Sequence, residues 1–160
     1  MSRRNQNTGW LFEELADSAS LRRGAARDIL RGNPGIQEDA SLHALFARLS
    51  ASKFRSRFCL DEACLFEIRE SGLDKIRKES QSLTLTRLAP ARPDNDGRQT
   101  PMRGHPCFIA QHATGCCCRK CLYKWHGIPQ GRALSENELS YIDRVLFSWI
   151  ISEIRRLAQS

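Results

Sequence analysis

Residues 105–128 read His105-Pro-Cys-Phe-Ile-Ala-Gln-His-Ala-Thr-Gly-Cys-Cys-Cys-Arg-Lys-Cys-Leu-Tyr-Lys-Trp-His-Gly-Ile128. Five of the seven cysteines and three of the four histidines of the chain fall within these 24 positions. Thiolates and imidazoles are the ligands that zinc and iron–sulfur clusters use, and thiolates are also the reactive groups of many enzymes. We therefore place the chemistry of the chain in this segment, the Cys/His block.

The spacing of the cysteines within the block is typical of a metal site. Two residues separate Cys118 from Cys121, which lets both sulfurs face one ion at about 2.3 Å. His126 follows at the spacing of the third ligand of a zinc knuckle, but the fourth ligand would then fall on Gly131, which cannot ligate. A knuckle is excluded, and the remaining ligands must come from Cys117, His112 or His105.

Zinc is the preferred metal, because histidines are interspersed and no set of four cysteines has a familiar iron–sulfur spacing. Cys117 and Cys121 form an alternative pair, four residues apart on one helix face. Two readings without metal stay open: a reactive or redox thiol site, and packed thiols with hydrogen-bonded histidines. If a helix begins near Cys116, its dipole together with Arg119 and Lys120 lowers the thiol pKa values, which favours metal binding and nucleophilic catalysis equally.

The charge of the chain is +7, and its distribution points to an anionic partner. Residues 101–132 contain no acidic side chain and five basic ones. The five are Arg103, Arg119, Lys120, Lys124 and Arg132. Such a segment suits DNA, RNA or another phosphate-bearing partner, unless ordinary salt bridges balance it. Calcium and magnesium, which require carboxylates, are disfavoured there.

The chain has no apolar run of about 18 residues and no secretory signal at its start, so we expect a cytoplasmic protein without a membrane span. Thiols stay reduced in the cytosol, where clustered cysteines are metal ligands or catalysts more often than disulfides. The odd number of cysteines agrees with this expectation.

The hydrophobic pattern predicts a mainly α fold with little or no sheet. We expect residues 1–40 to be a loosely attached, partly helical extension, with helical segments at 10–16 and 21–30 before the Gly/Pro stop at 32–35. Residues 41–160 should form one domain of about four to six helices around the block. Ser41 and Asp61 are expected N-caps, and Ser135 begins a capping box ahead of a long amphipathic helix. The stretch 53–58 favours a helix with phenylalanines inward and arginines outward over a nucleic-acid grip.

Several motifs of the domain are similar to those of a bacterial and phage-borne family, the domain of unknown function 4186. The resemblance runs from about residue 41 to residue 157 and is carried by segments 52–58, 88–90, 99–106, 108–114, 117–122 and 124–129. It implies that Cys107 and Cys116 are departures from the family pattern, so they are not primary ligands. The positions that match are His105, His112, Cys117, Cys118, Cys121 and His126.

Three functions are compatible with these observations. The first is a zinc-binding module whose basic face binds nucleic acid. The second is a metal- or Cys/His-dependent enzyme acting on a nucleic-acid or phosphorylated substrate, with His105 or His112 as the base. The third is a zinc-stabilised protein-interaction factor that uses the C-terminal helix. The sequence does not decide whether the chain is an enzyme, and it gives no oligomeric state.

Overall fold

The computed structural model describes residues 8–160, with side chains from residue 13 onward, and within this range the chain has seven α-helices and no strand. The prediction of a mainly α fold is confirmed. The helices are α1 (Thr8–Gly32), α2 (His43–Ser50), α3 (Glu62–Ser71), α4 (Leu73–Arg87), α5 (Pro106–Thr114), α6 (Arg119–His126) and α7 (Glu136–Gln159). Two short 3-10 turns, Ala40–Leu42 and Arg55–Arg57, precede and follow α2. The Cys/His block alone supplies two helices, α5 and α6.

The central element is α7, against which α1, α4 and α5 pack. Its apolar stripe, which includes Ile142, Leu146, Ile150 and Ile154, is almost completely buried. The capping box at its start is present as expected: Ser135 and Glu138 each bond the backbone N–H of the other. No large, fully exposed apolar side chain of the described residues lies in α7, although four of its apolar residues are only partly buried: Leu139, Tyr141, Phe147 and Trp149.

The N-terminal region differs from the expectation in two ways: it forms one continuous helix, and that helix packs against the rest of the domain. The segments expected at 10–16 and 21–30 are parts of the single helix α1, while residues 1–7 lie outside the described part of the chain. Ala26 and Ile29 belong to the buried core, and Arg27 Nε donates to the carbonyl of Ala158 at 3.0 Å. Packing against α3 and α7 overrides the weak helix propensity of residues 17–20 and holds α1 to the domain. The boundary between an N-terminal extension and the domain at residue 40 stays a prediction.

Two expectations about helix starts are corrected and one is confirmed. Asp39, and not Ser41, is the cap before α2: its carboxylate accepts from the Ser41 N–H at 3.0 Å. Asp61 caps α3 as expected, accepting from the Cys64 N–H at 2.8 Å. The helix expected near Cys116 begins three residues later, because Cys118 is the N-cap of α6. In the described part of the chain, no helix is both long and apolar enough to cross a membrane.

A candidate thiolate metal centre

A tight turn between α5 and α6 creates the site. Gly115 ends α5 with φ +73°, a left-handed conformation that glycine adopts without strain. A Cβ atom at this position would lie 2.6 Å from Cδ1 of Trp125, so the glycine also allows α6 to pack closely on the turn. Cys118, three residues later, has an extended backbone, and its Sγ accepts from the Cys121 N–H at 3.4 Å. The backbone thereby directs two adjacent cysteines and the first turn of α6 toward one point.

Three cysteines converge at that point. The sulfur atoms of Cys117, Cys118 and Cys121, here called the thiol cluster, all lie within 4.8 Å of one another. Cys117 and Cys118 are buried, and Cys121 is partly exposed. Thiolates this close together can hold a metal ion, and no other described group of three or more Cys, His, Asp or Glu side chains has comparable geometry.

Arg55 is the neighbour of the cluster that the sequence does not reveal. Its guanidinium is 8% exposed and donates to Sγ of Cys117 at 3.4 Å and to Sγ of Cys121 at 3.1 Å. A third bond, to the carbonyl of His112 at 2.7 Å, fixes the guanidinium in place. Hydrogen bonds from Cys117 and Cys118, and then from Arg55, hold the pKa of the Cys121 thiol far below its ordinary value.

The stretch 53–58 departs from expectation at Phe54 and Arg55, whereas Phe58 packs against the core and Arg57 is exposed as expected. It contains a 3-10 turn in which Arg55 points inward, while Phe54 is 40% exposed. Hydrophobic periodicity predicts that the phenylalanine is buried and the arginine exposed, because the pattern does not show that a buried partner for the arginine exists. The partner is the thiol cluster, which lies more than 60 residues away in sequence. The acid-free composition around Arg55 is the one sequence signal that could have pointed to it.

Two of the predicted histidine ligands lie elsewhere. His126 Nδ1 is 2.8 Å from the Tyr141 hydroxyl, and its Nε2 is 2.8 Å from the carbonyl of Thr114. His105 caps α5 by accepting from the Cys107 N–H, and its Nε2 is 3.0 Å from Glu79. Both nitrogens of each ring are thus engaged in bonds that hold helices together, and the structure does not bring these rings to the cluster.

His112 is also outside the group of mutually close ligand atoms, but it is arranged differently: its carbonyl accepts from Arg55, which bonds two sulfurs of the thiol cluster as well. Its Nε2 lies 3.1 Å from the carbonyls of both Thr100 and Pro101, so this nitrogen carries the proton. Its Nδ1 is then a lone-pair acceptor, and it is buried without a hydrogen-bond partner among the described residues. The ring stacks on Phe58 at 5.1 Å, and burial holds the pKa of His112 below its ordinary value. A neutral imidazole that donates one N–H to a backbone carbonyl is the usual state of a metal-ligating histidine.

Of the five predicted basic residues, two are held by bonds within the protein and three have no carboxylate partner among the described residues. Arg119 is 1% exposed and donates to the carbonyls of Pro90, Pro129 and Arg132, each at 2.8 Å, so it fastens two loops together. Arg132 pairs with Glu138 at 2.5 Å. Arg103, Lys120 and Lys124 are exposed and have no carboxylate within 4.0 Å among the described residues.

The exposed basic residues of α6 and those of α2 and the following turn lie on two acid-free segments that meet at the thiol cluster. Residues 43–60 and 97–135 contain no acidic side chain, and the bonds of Arg55 to Cys117 and Cys121 join the two segments. Arg48 of α2 lies over the ring of Trp125 in α6 at 5.7 Å. The exposed basic residues Arg48, Lys53, Arg57, Lys120 and Lys124, with Phe54, Tyr123 and Trp125, are called the thiol face.

Comparison with known proteins bears on the domain as a whole. The model of the family described as "Domain of unknown function (DUF4186)" matches residues 43–151, which is more than half of the chain. No solved structure matches the chain.

Proposed function

The chain belongs to the DUF4186 family, and from this premise we propose that it is a zinc-binding protein whose thiol face binds nucleic acid. The observation that carries the proposal is the convergence of Cys117, Cys118 and Cys121 within 4.8 Å inside an acid-free, basic part of the surface.

The donor set supports zinc. Zinc sites use Cys and His, whereas calcium and magnesium sites use oxygen ligands that are lacking here. Three thiolates bound to Zn²⁺ carry one negative charge, which the buried guanidinium of Arg55 compensates. We propose His112 as the fourth ligand, because its Nδ1 is a buried acceptor without a partner among the described residues. His105 and His126 are weaker candidates, since each would have to give up a bond between helices.

Metal analysis of the purified, untagged protein tests the first half of the proposal. We expect about one equivalent of zinc in the wild type and in Cys59→Ser, whose sulfur lies outside the cluster. Cys118→Ser should retain less than about a tenth of an equivalent after dialysis, because a structural zinc site depends on its complete set of four ligands. Less than half an equivalent of any metal in the wild type contradicts the proposal.

The unpaired charges of the thiol face support the nucleic-acid partner. None of its five basic side chains has a carboxylate within 4.0 Å among the described residues. Some arginines elsewhere are paired with carboxylates: Arg77 with Asp143, and Arg144 with Asp39, both at 2.7 Å. A cluster of exposed cations without local anions favours a polyanion as its partner.

Fluorescence anisotropy with labelled oligonucleotides at two salt concentrations tests the second half. We expect affinity to fall steeply as salt rises, with a slope set by the number of phosphate contacts. Lys124→Ala should reduce that slope by about one. Arg77→Ala, which removes a paired arginine, is the matched control and should leave it unchanged. Absence of binding at low salt, or binding insensitive to salt, contradicts the proposal.

The enzyme alternative has two observations in its favour: the lowered pKa of the Cys121 thiol and the Nδ1 lone pair of His112, which has no partner among the described residues. His105 is less suited as a base, because both of its ring nitrogens are engaged, by Glu79 and by the Cys107 N–H. No carboxylate joins the thiol cluster as a base among the described residues. Loss of an activity in a folded Cys118→Ser protein would revive this alternative.

A further inference from the structure

We infer that the thiol face takes single-stranded nucleic acid, with unpaired bases stacking on Tyr123 and Phe54 while the neighbouring lysines and arginines contact the phosphates. The inference rests on the proposed function, because it names the class of nucleic acid bound at the same surface. It has its own evidence in the aromatic rings of the face.

Tyr123 is the most exposed aromatic ring of the thiol face. It is 59% exposed, more than Phe54 on the same face. Lys120 and Lys124 lie three positions before it and one after it, and the helical spacing places all three on the outer side of α6. A large free ring between two unpaired amines combines a stacking surface with phosphate contacts.

Phe54 supplies a second ring at the other edge of the face. It is 40% exposed, and edge-on contacts with Phe58 at 5.2 Å and His112 at 6.5 Å hold it from behind. The guanidinium of Arg57 lies 5.1 Å from its centre. A ring held in this way loses little conformational entropy when a base stacks on it, and an arginine plane beside the ring extends the stacking surface.

Trp125 is the third aromatic ring of the thiol face. Its ring is seated on Gly115, and the Arg48 guanidinium and the Lys124 ammonium each lie 5.7 Å from its centre. Trp125 is half-buried, so we assign it the role of positioning these cations. Its fluorescence provides a reporter of events at the face.

The shape of the face disfavours a duplex. The faces of paired bases are covered by their neighbours in the stack, so exposed rings gain nothing from duplex DNA unless they intercalate. Reading a major groove requires a projecting helix or β-ribbon. α6 has eight residues, about 12 Å, and is seated against Gly115 through Trp125. Unpaired bases, in contrast, offer π-faces to Tyr123 and Phe54 regardless of sequence.

A matched control lies elsewhere in the chain. Phe66 is 55% exposed, and the guanidinium of Arg69 lies 5.5 Å from its centre, which reproduces the pairing of Phe54 with Arg57. Its surroundings include Glu62, Glu67 and Glu70, which repel phosphate. Phe66→Ala therefore removes an equivalent ring outside the thiol face.

The test uses the zinc-loaded protein and one mixed sequence of about 20 nucleotides, offered as a single strand and as a duplex, in an anisotropy titration. We expect the single strand to bind at least about 10-fold more tightly than the duplex. Tyr123→Ala and Phe54→Ala should each weaken single-strand binding about 5- to 150-fold, whereas Tyr123→Phe and Phe66→Ala should leave it unchanged. Binding should quench part of the tryptophan fluorescence, which Trp125 shares with Trp10 and Trp149.

Duplex binding as tight as single-strand binding overturns the inference while leaving the proposed function intact. The inference also fails if Lys124→Ala weakens binding but Tyr123→Ala does not, because the face would then act through charge alone. If neither form binds, the nucleic-acid part of the proposed function fails together with the inference. Tyr123 is exposed, so Tyr123→Ala keeps the test decisive even if Phe54→Ala disturbs the fold.

Discussion

The thiol face and the cleft between α3, α4 and the start of α5 are built from the same residue types with opposite charge. The cleft, here called the acidic cleft, is lined by Phe66, Cys64 and His105 together with carboxylates. These carboxylates are Asp61, Glu62, Glu67 and Glu79. The thiol face also contains an exposed phenylalanine beside an arginine, and it adjoins the cysteines of the thiol cluster and His112, but it has no carboxylate.

The pKa values of the cysteine thiols differ between these two regions. Burial and the neighbouring Asp61 raise the pKa of the Cys64 thiol to about 12, so this thiol stays protonated. At the thiol face, hydrogen bonds from Cys117 and Cys118, supported by Arg55, lower the pKa of Cys121. Cys64 is therefore a packing residue, while Cys121 is a ligand or a nucleophile. Burial is the main cause of the raised pKa of Cys64 and hydrogen bonds between thiols are the main cause of the lowered pKa of Cys121, and the charges of Asp61 and Arg55 reinforce the two shifts.

Removal of the metal should have the largest effect and should separate the two regions. Zinc contributes about 10–16 kcal/mol of apparent binding energy in small zinc peptides, which is comparable with the whole stability of a domain. We expect a chelator to increase hydrogen exchange strongly in α6 and the turn Arg55–Arg57, and much less in α3 and α4. Hydrogen-exchange mass spectrometry with and without chelator measures this. Equal loosening of both regions would mean that the metal stabilises the domain globally.

Gly115→Ala should cause the next largest loss of stability, because the added methyl group would clash with the ring of Trp125. The substitution imposes a left-handed conformation on alanine and places its Cβ 2.6 Å from the indole. Gly127→Ala is the matched control: its φ is +67°, but nothing lies within 4 Å of the added atom. We expect Gly127→Ala to cost about 1 kcal/mol and Gly115→Ala about 2–4 kcal/mol, measured by urea denaturation. Equal costs would show that the turn tolerates displacement of α6.

The helical framework could be predicted from the sequence because its signals are local. The capping box at Ser135, the cap at Asp61 and the apolar stripe of α7 all depend on residues within one or two turns. The continuity of α1 could not be predicted in this way. It depends on packing against α3 and α7, which are distant in sequence.

The candidate site could be predicted in part. The Cys118-x2-Cys121 spacing locates two ligands, and the adjacent Cys117 belongs to the same cluster. The spacing does not separate His112 from His105 and His126, because the groups that engage the last two become visible only in three dimensions. Sequence reasoning misses the cluster's arginine for the same reason, and it assigns Arg119 to the surface although that residue is buried among carbonyls.

Arg55→Lys should have an intermediate effect and tests whether a fixed guanidinium distinguishes the thiol face. Lysine cannot reproduce three bonds in fixed directions to Cys117, Cys121 and the His112 carbonyl. We expect zinc affinity to fall about 10- to 100-fold, as measured by competition with a chromophoric chelator. Arg57→Lys, which keeps an exposed charge two residues away, should have no effect on zinc affinity. Unchanged zinc affinity in Arg55→Lys would mean that Arg55 only fills space beside the thiol cluster.

The smallest expected effect is the contribution of Glu79 in the acidic cleft to stability, which should depend on pH. A hydrogen bond from His105, and then Lys75 at 3.5 Å, hold the pKa of Glu79 below its ordinary value of 4.5. A carboxyl with a lowered pKa in the folded state stabilises the fold above its ordinary pKa, and this contribution is lost as the pH falls below that value. Glu79→Gln should therefore be less stable than the wild type at neutral pH by at most about 1 kcal/mol, because the pair is partly exposed.

The difference between Glu79→Gln and the wild type should shrink as the medium is acidified through the carboxyl range, in urea titrations at a series of pH values. Glu62→Gln removes a carboxylate from the same cleft that has no basic partner within 4.0 Å among the described residues, so its difference from the wild type should stay small throughout. A Glu79→Gln difference that does not change with pH would mean that shape, and not charge, links α4 to α5. The acidic cleft would then differ from the thiol face in composition but not in the way its charges act.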